Sequence, residues 1–242
     1  MQRWMSAGYE REFAEMLETV AHGWRRTKKL VAFWPTCGHA YDGSLMVIGR
    51  ATNGWGENHW TAEDLREGPR RQAAVRAARS ASEPDNECPM SWVDKQAGPG
   101  DYYNTNRSAF WRVIRRVAEA VVEGQAGSRS VLGSIAWSNL YKVAPGSGGN
   151  PPSSLMRLAG PRSAKLIRRE IEELQPRRVL ALVGWSWFAQ FAPPLELAVE
   201  RRDSGPVEAT ASAPGQRWVI AKHPERKPED AAVADIVAAL GP

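Results

Sequence analysis

Cysteine is scarce in this chain: Cys37 and Cys88 are the only two among 242 residues. Two thiols cannot form a disulfide framework, so nothing points to an extracellular scaffold. The one metal-like combination, Cys37-Gly38-His39 with His59 or Cys88, matches no common zinc spacing, and no metal is expected. Long apolar runs are missing, and none approaches the ~20 residues of a membrane span. The start is polar and charged from Arg3 onward, so no secretory h-region is expected. The expectation is a soluble, cytoplasmic protein with no membrane partner. Walker A and G-x-G-x-x-G sequences are also lacking, which speaks against NTPase and dinucleotide chemistry and for no nucleotide cofactor. With no internal repeat and no dividing linker, residues 1–242 read as one domain with its own core.

What is plentiful is arginine and tryptophan. The net charge is +5 with a pI near 9.4. Arg70-Arg71, Arg115-Arg116, Arg168-Arg169, Arg177-Arg178 and Arg201-Arg202 carry much of it. Any one pair reads as a solvated helix face. Taken together they favour an anionic partner such as nucleic acid. Of the 11 tryptophans, Trp55, Trp60, Trp92, Trp185 and Trp187 sit beside glycine or polar residues in expected loops. Loop aromatics either stack on bases or wall a pocket.

Hydrophobic periodicity predicts helices over 8–24, 61–82, 106–123, 161–175 and 228–240, with Thr61 as an N-cap, a break at Gly68-Pro69 and Pro161 in a first turn. Apolar runs predict strands at 44–50, 134–140, 178–184 and 217–222. Residues 31–42 read as irregular, 203–216 as a polar loop or hairpin, and 83–104 as a turn-rich surface insertion. A glycine- and proline-rich loop spans 145–152. Alternation of strands and helices predicts an α/β fold: a three-layer α/β/α sandwich with a mainly parallel four-stranded central sheet.

Two strand ends carry the candidate chemistry. Leu45–Ile48 runs into Gly49-Arg50-Ala51-Thr52-Asn53-Gly54-Trp55, and Val219–Ala221 runs into Lys222-His223-Pro224. Ligands of open α/β sheets bind outside the carboxyl ends of strands, so Asn53 and His223 are candidates to converge on one pocket. The bland alternatives are a left-handed turn at Asn53, a turn-capping role for His223 and a satisfied buried amide at Asn139.

Four segments together resemble the uracil-DNA glycosylase superfamily: Val47–Gly54 its first motif, Asn106-Arg107-Ser108-Ala109-Phe110-Trp111 the N-x-F-W helix start of the mismatch-specific branch, Trp137-Ser138-Asn139-Leu140 its base-reading strand, and His223-Pro224-Glu225 its H-P-S motif. The match spans roughly residues 44–240. It implies a glycosylase-like fold with sheet order two-one-three-four. It departs from the family pattern where Asn53 lies farther beyond Gly49, where Glu225 replaces serine, and where two cysteines cannot hold the iron–sulfur cluster of some branches.

The resemblance implies a monofunctional, monomeric DNA glycosylase that flips out a base and hydrolyses its N-glycosidic bond. Asn53 and His223 would be catalytic, with Glu57 a fallback base. Asn139, Trp55 and Gly49 would bind the base, and Arg226, Lys227 and Lys142 the DNA. Defensive members of the superfamily remove bulky modified pyrimidines from phage DNA, so a modified phage cytosine is the first expectation and uracil or a mismatch the second. An inactive DNA-binding module of the same fold and an α/β hydrolase acting on free nucleosides are the other readings. Lys142 and Lys222 leave Schiff-base lyase chemistry open.

Overall fold

The computed structural model describes residues 5–25, 27–53, 58–83, 87–94, 104–122 and 131–241. Among these residues the strands are β1 (Leu30–Ala32), β2 (Thr36–Cys37), β3 (Leu45–Ala51), β4 (Ile135–Tyr141), β5 (Val143–Pro145), β6 (Arg178–Ala181), β7 (Ala198–Arg201), β8 (Val207–Ala213) and β9 (Gln216–Ala221). The α-helices are α1 (Ala7–Gly23), α2 (Ala62–Arg66), α3 (Gly68–Ser82), α4 (Ser91–Asp94), α5 (Ala109–Val121), α6 (Ser153–Leu174), α7 (Trp185–Phe188) and α8 (Glu229–Leu240). No helix among the described residues is long and apolar enough to cross a membrane.

The structure is mixed α/β. One sheet has the order β2-β4-β3-β6-β9-β8-β7, and β1 pairs separately with β5. The four strands expected from apolar runs are neighbours in it, in the order expected: β4-β3-β6-β9. β3, β6 and β9 run parallel, with Ile48, Ala181 and Ile220 in register. Their continuous apolar character follows from burial on both faces.

The expectation of four mainly parallel strands is corrected at the sheet margins. β2 pairs antiparallel with β4 inside the segment read as irregular, and β7 and β8 extend the other side antiparallel to β9. β8 buries Val207, Ala209 and Ala211 and half-buries Glu208 and Thr210, a period-two pattern of small residues that gives little apolar contrast. Its turn into β9 places Gly215 at φ +73°, where glycine carries no steric cost.

The chain divides into two compact units. The first comprises Met1–Pro35, Arg50–Asp85 and Asn139–Leu174. The second comprises Thr36–Gly49, Asn86–Ser138 and Gln175–Pro242. In the first, α6 begins at Ser153, well before the expected start at Pro161, which lies inside the helix. Leu155 and Ala159 continue the buried stripe of Ala164 and Ile167 back across the proline, so packing outweighs the lost backbone hydrogen bond. α1 and α6 are tied by Arg162–Glu15 and Arg169–Glu12 pairs. The expected break at Gly68 separates α2 from α3, and Thr61 with Asp64 forms a capping box. In the second unit, α5 packs with α8, and Arg112 and Arg116 of α5 pair with Glu229 and Asp230 at the start of α8. Of the expected insertion at 83–104, Ser91–Asp94 is helical, and residues 84–86 and 95–103 lie outside the described residues.

Candidate functional site

In the first unit β3 ends beside a glycine strap. Leu45–Ile48 are fully buried, and the strand continues through Gly49 and Arg50 to Ala51, so Gly49 lies within β3 and not in the loop after it. Thr52 follows, 5 % exposed, and its Oγ1 is buried with no hydrogen-bond partner. Asn53 is exposed, and its Oδ1 accepts the N–H of Gly149 at 2.6 Å. Gly148 and Gly149 have φ of +82° and +83°, which lets the strap turn its amide toward Asn53. Asn53 is not in a left-handed turn: among the described residues only Gln175, Glu196 and Arg226 combine a side chain with positive φ. Trp55 and Glu57 lie outside the described residues.

Asn139 sits on β4, the neighbour of β3 in the sheet. It is 2 % exposed, and its Nδ2 has no hydrogen-bond partner. Buried polar side chains are nearly always satisfied. Here Asn139 Nδ2, Thr52 Oγ1, His59 Nε2 and Ser154 Oγ are all buried and unpartnered within one unit. Each of these atoms has hydrogen-bonding capacity left for a bound molecule. Asn139 is the residue that the resemblance of Trp137–Leu140 picks out. Thr52 and Ser154 are not candidates in the sequence, and His59 enters only as part of a metal-like combination, because no local pattern marks them as buried hydrogen-bonding groups.

Lys142 does not contact solvent, which corrects its expected role in DNA binding. Its ammonium and the Glu170 carboxylate are 2.7 Å apart, both side chains 0 % exposed. Tyr9 donates its hydroxyl to the same oxygen of Glu170 at 2.6 Å. Burial pushes the Lys142 pKa down, against the pull of Glu170, and burial beside Glu170 pushes the Tyr9 pKa up.

In the second unit the structure joins two of the sequence motifs. The imidazole of His223 stacks on Phe110 with centroids 5.9 Å apart and planes 14° from parallel. Its Nδ1 accepts the N–H of Glu225 at 3.4 Å. The Arg112 guanidinium, one residue past Trp111, pairs with Glu229, holding that carboxyl below its ordinary range, and donates to the Asn106 carbonyl at 2.6 Å. Next to Phe110, Trp111 joins Trp92 and Trp137 in a cluster of edge-to-face and tilted rings. Trp92 is therefore packed against other rings, not presented singly. Pro224 is buried, while Glu225, Arg226 and Lys227 are exposed, with Arg226 at φ +57°.

Many of the arginines face carboxylates within the protein. Arg70 pairs with Asp64, Arg79 with Glu83, Arg115 with Asp94, Arg177 with Asp42 and Arg202 with Asp235. The more exposed of these pairs, such as Arg177–Asp42, are weak, so a polyanion can compete for such side chains, but the positive excess is less available than the composition implies. Among the described residues no three of His, Cys, Asp and Glu gather as metal ligands.

No protein-family model matches the chain, and no curated protein matches it. Its function has to be read from the chemistry of the site.

Proposed function

We propose that the chain is a monofunctional DNA glycosylase that excises a flipped-out modified or damaged pyrimidine, a modified phage cytosine before uracil. The observation that carries this reading is Asn139: a buried amide nitrogen with no protein partner, on a strand next to the one that leads into Asn53. An asparagine offers a donor and an acceptor side by side, the pattern needed to read a pyrimidine edge. The strand order β4-β3-β6-β9 supports a glycosylase-like three-layer core.

In the reaction the C1′–N1 bond breaks and its electron pair leaves with the base. Water bonds to C1′, and the proton it loses ends on the base or solvent. Asn139 hydrogen-bonds the base. Asn53 acts as a positioning residue through the strap it holds, since its amide is no general base. The resemblance implies a donor to the leaving base anion at His223, and a preorganised donor of this kind is worth roughly 3–4 kcal/mol in other enzymes. Arg226 and Lys227 bind phosphate. Burial of Lys142 against Glu170 supports hydrolysis over Schiff-base chemistry at that lysine. Such an activity fits defence against phage DNA, with uracil or mismatch repair as the alternative.

The test is alkali-induced strand scission after incubation with duplexes carrying 5-hydroxymethylcytosine or uracil. Scission that is lost in Asn139→Ala supports the reading, and no scission on any modified duplex defeats it. One observation favours a second reading, a binding module without chemistry: the Asn53 oxygen is already engaged by Gly149. Tight DNA binding without base release would identify that case.

A further inference from the structure

We infer that His59 binds the ligand of the first unit, its Nε2 hydrogen-bonded to an uncharged heteroatom of the bound base or base substituent. The nature of the ligand rests on the glycosylase reading; the placement of His59 does not.

The backbone around His59 is fixed from two sides by one short strand. Trp60, the next residue, exchanges two hydrogen bonds with Leu30 at the start of β1, at 2.7 and 2.9 Å. Lys29, just before Leu30, accepts the N–H of Gly146 at 2.8 Å, and β1 pairs Leu30 with Pro145. His59 and the glycine strap are thus held by neighbouring residues of the same strand. The ring lies directly against the strap: a Cβ on Gly146 would stand 3.1 Å from its Cγ and Nδ1. Glycine at 146 is what admits the imidazole there.

Asn53 grips the same strap, its Oδ1 accepting the N–H of Gly149, three residues past Gly146. With the ring located this way, its Nε2 is buried and has no protein partner. An imidazole that only filled space would carry the desolvation cost of that nitrogen with nothing in return, and an apolar ring would serve better. Thr52 Oγ1, just past the end of β3, and Asn139 Nδ2, on the neighbouring strand β4, are in the same condition. A hydroxyl and an amide are uncharged groups. They suit the carbonyl, ring nitrogen and hydroxyl atoms of a neutral heterocycle rather than a phosphate or a cation.

The test compares the wild type with His59→Phe and His59→Gln. Thermal unfolding is measured first, then binding of a 5-hydroxymethylcytosine duplex and of the free base, and long-range ¹H–¹⁵N spectra follow the His59 ring. The expected result is a phenylalanine variant at least as stable as the wild type but binding about 10-fold or more weakly, since a ligand atom then loses its partner. The glutamine variant, with an amide near the Nε2 position, binds within about threefold of the wild type by the same reasoning. The wild-type Nε2 resonance shifts when the duplex is added. A destabilised phenylalanine variant would reveal a structural partner for Nε2 and overturn the inference. Equal binding by wild type and His59→Phe, or an Nε2 resonance unmoved by bound duplex, overturns it as well and leaves an ordered water as the partner. Base release at equal rates in both proteins keeps the glycosylase reading and removes His59 alone. No binding of either probe by the wild type removes the ligand class and the inference with it.

Discussion

Asn53 and Gly149, 96 positions apart in the chain, are joined by a 2.6 Å hydrogen bond from the glycine amide to the asparagine side chain. The bond ties the glycine strap to the residue two past the end of β3. Asn53→Ala is expected to raise hydrogen exchange at the Gly149 amide by about tenfold or more, while Asn53→Asp, which keeps the acceptor, leaves it protected. Turnover of Asn53→Ala should fall by about 10²-fold through loss of positioning. An unchanged Gly149 exchange rate would show that the strap is held by something else.

The Lys142–Glu170 pair makes a contrasting prediction, on stability and not on function. Removing one member leaves the other charged and buried. Lys142→Met should cost about 3–5 kcal/mol in urea unfolding, and the double variant Lys142→Met/Glu170→Leu should recover most of it. If Lys142→Met is as stable as the wild type yet loses DNA affinity, the buried pairing is wrong.

Asp64 gives a pH signature. Hydrogen bonds from the Thr61 backbone and hydroxyl hold its carboxyl below the usual carboxylate range, with Arg70 adding to them. A depressed folded-state pKa contributes stability that is fully present above the unfolded value of about 4 and is lost as pH falls through the folded value. The stability gap between wild type and Asp64→Ala, about 1 kcal/mol for a helix cap, should hold at pH 7 and shrink toward zero in acid. Urea titrations at both pH values measure it. A gap that widens in acid would contradict the capping account.

Arg226 is 92 % exposed and sits at φ +57°, where glycine is the least strained residue. Arg226→Gly should leave the protein as stable or slightly more stable. If the guanidinium neutralises one phosphate, the slope of log affinity against log salt should lose about 0.9. An unchanged slope would place Arg226 off the DNA.

The central strands were readable because parallel strands buried on both faces appear as unbroken apolar runs, as in Leu45–Ile48 and Val219–Ala221. β8 was hard to read because its inward residues, apart from Val207, are alanines set between Glu208, Thr210 and Ser212. Pro161 hid the first turns of α6, since only tertiary burial of Leu155 and Ala159 overrides a proline inside a helix. Asn139 stood out only through the resemblance of Trp137–Leu140 to a base-reading strand. His59 did not, because what defines it, Gly146 and β1, is far away in sequence. Lys142 was misread for the same reason: its counter-charge on Glu170 and the Tyr9 hydroxyl come from α6 and α1.

The most direct test of the central claim is mass spectrometry of free bases released from duplexes that differ only in one modified pyrimidine, run with the wild type and with Asn139→Ala. The account predicts a free modified base, an intact abasic strand, and a loss of release by about 10²-fold or more in the variant, as for a contact that strengthens in the transition state. Release that is undiminished in Asn139→Ala, or no free base from any of the duplexes, would contradict it.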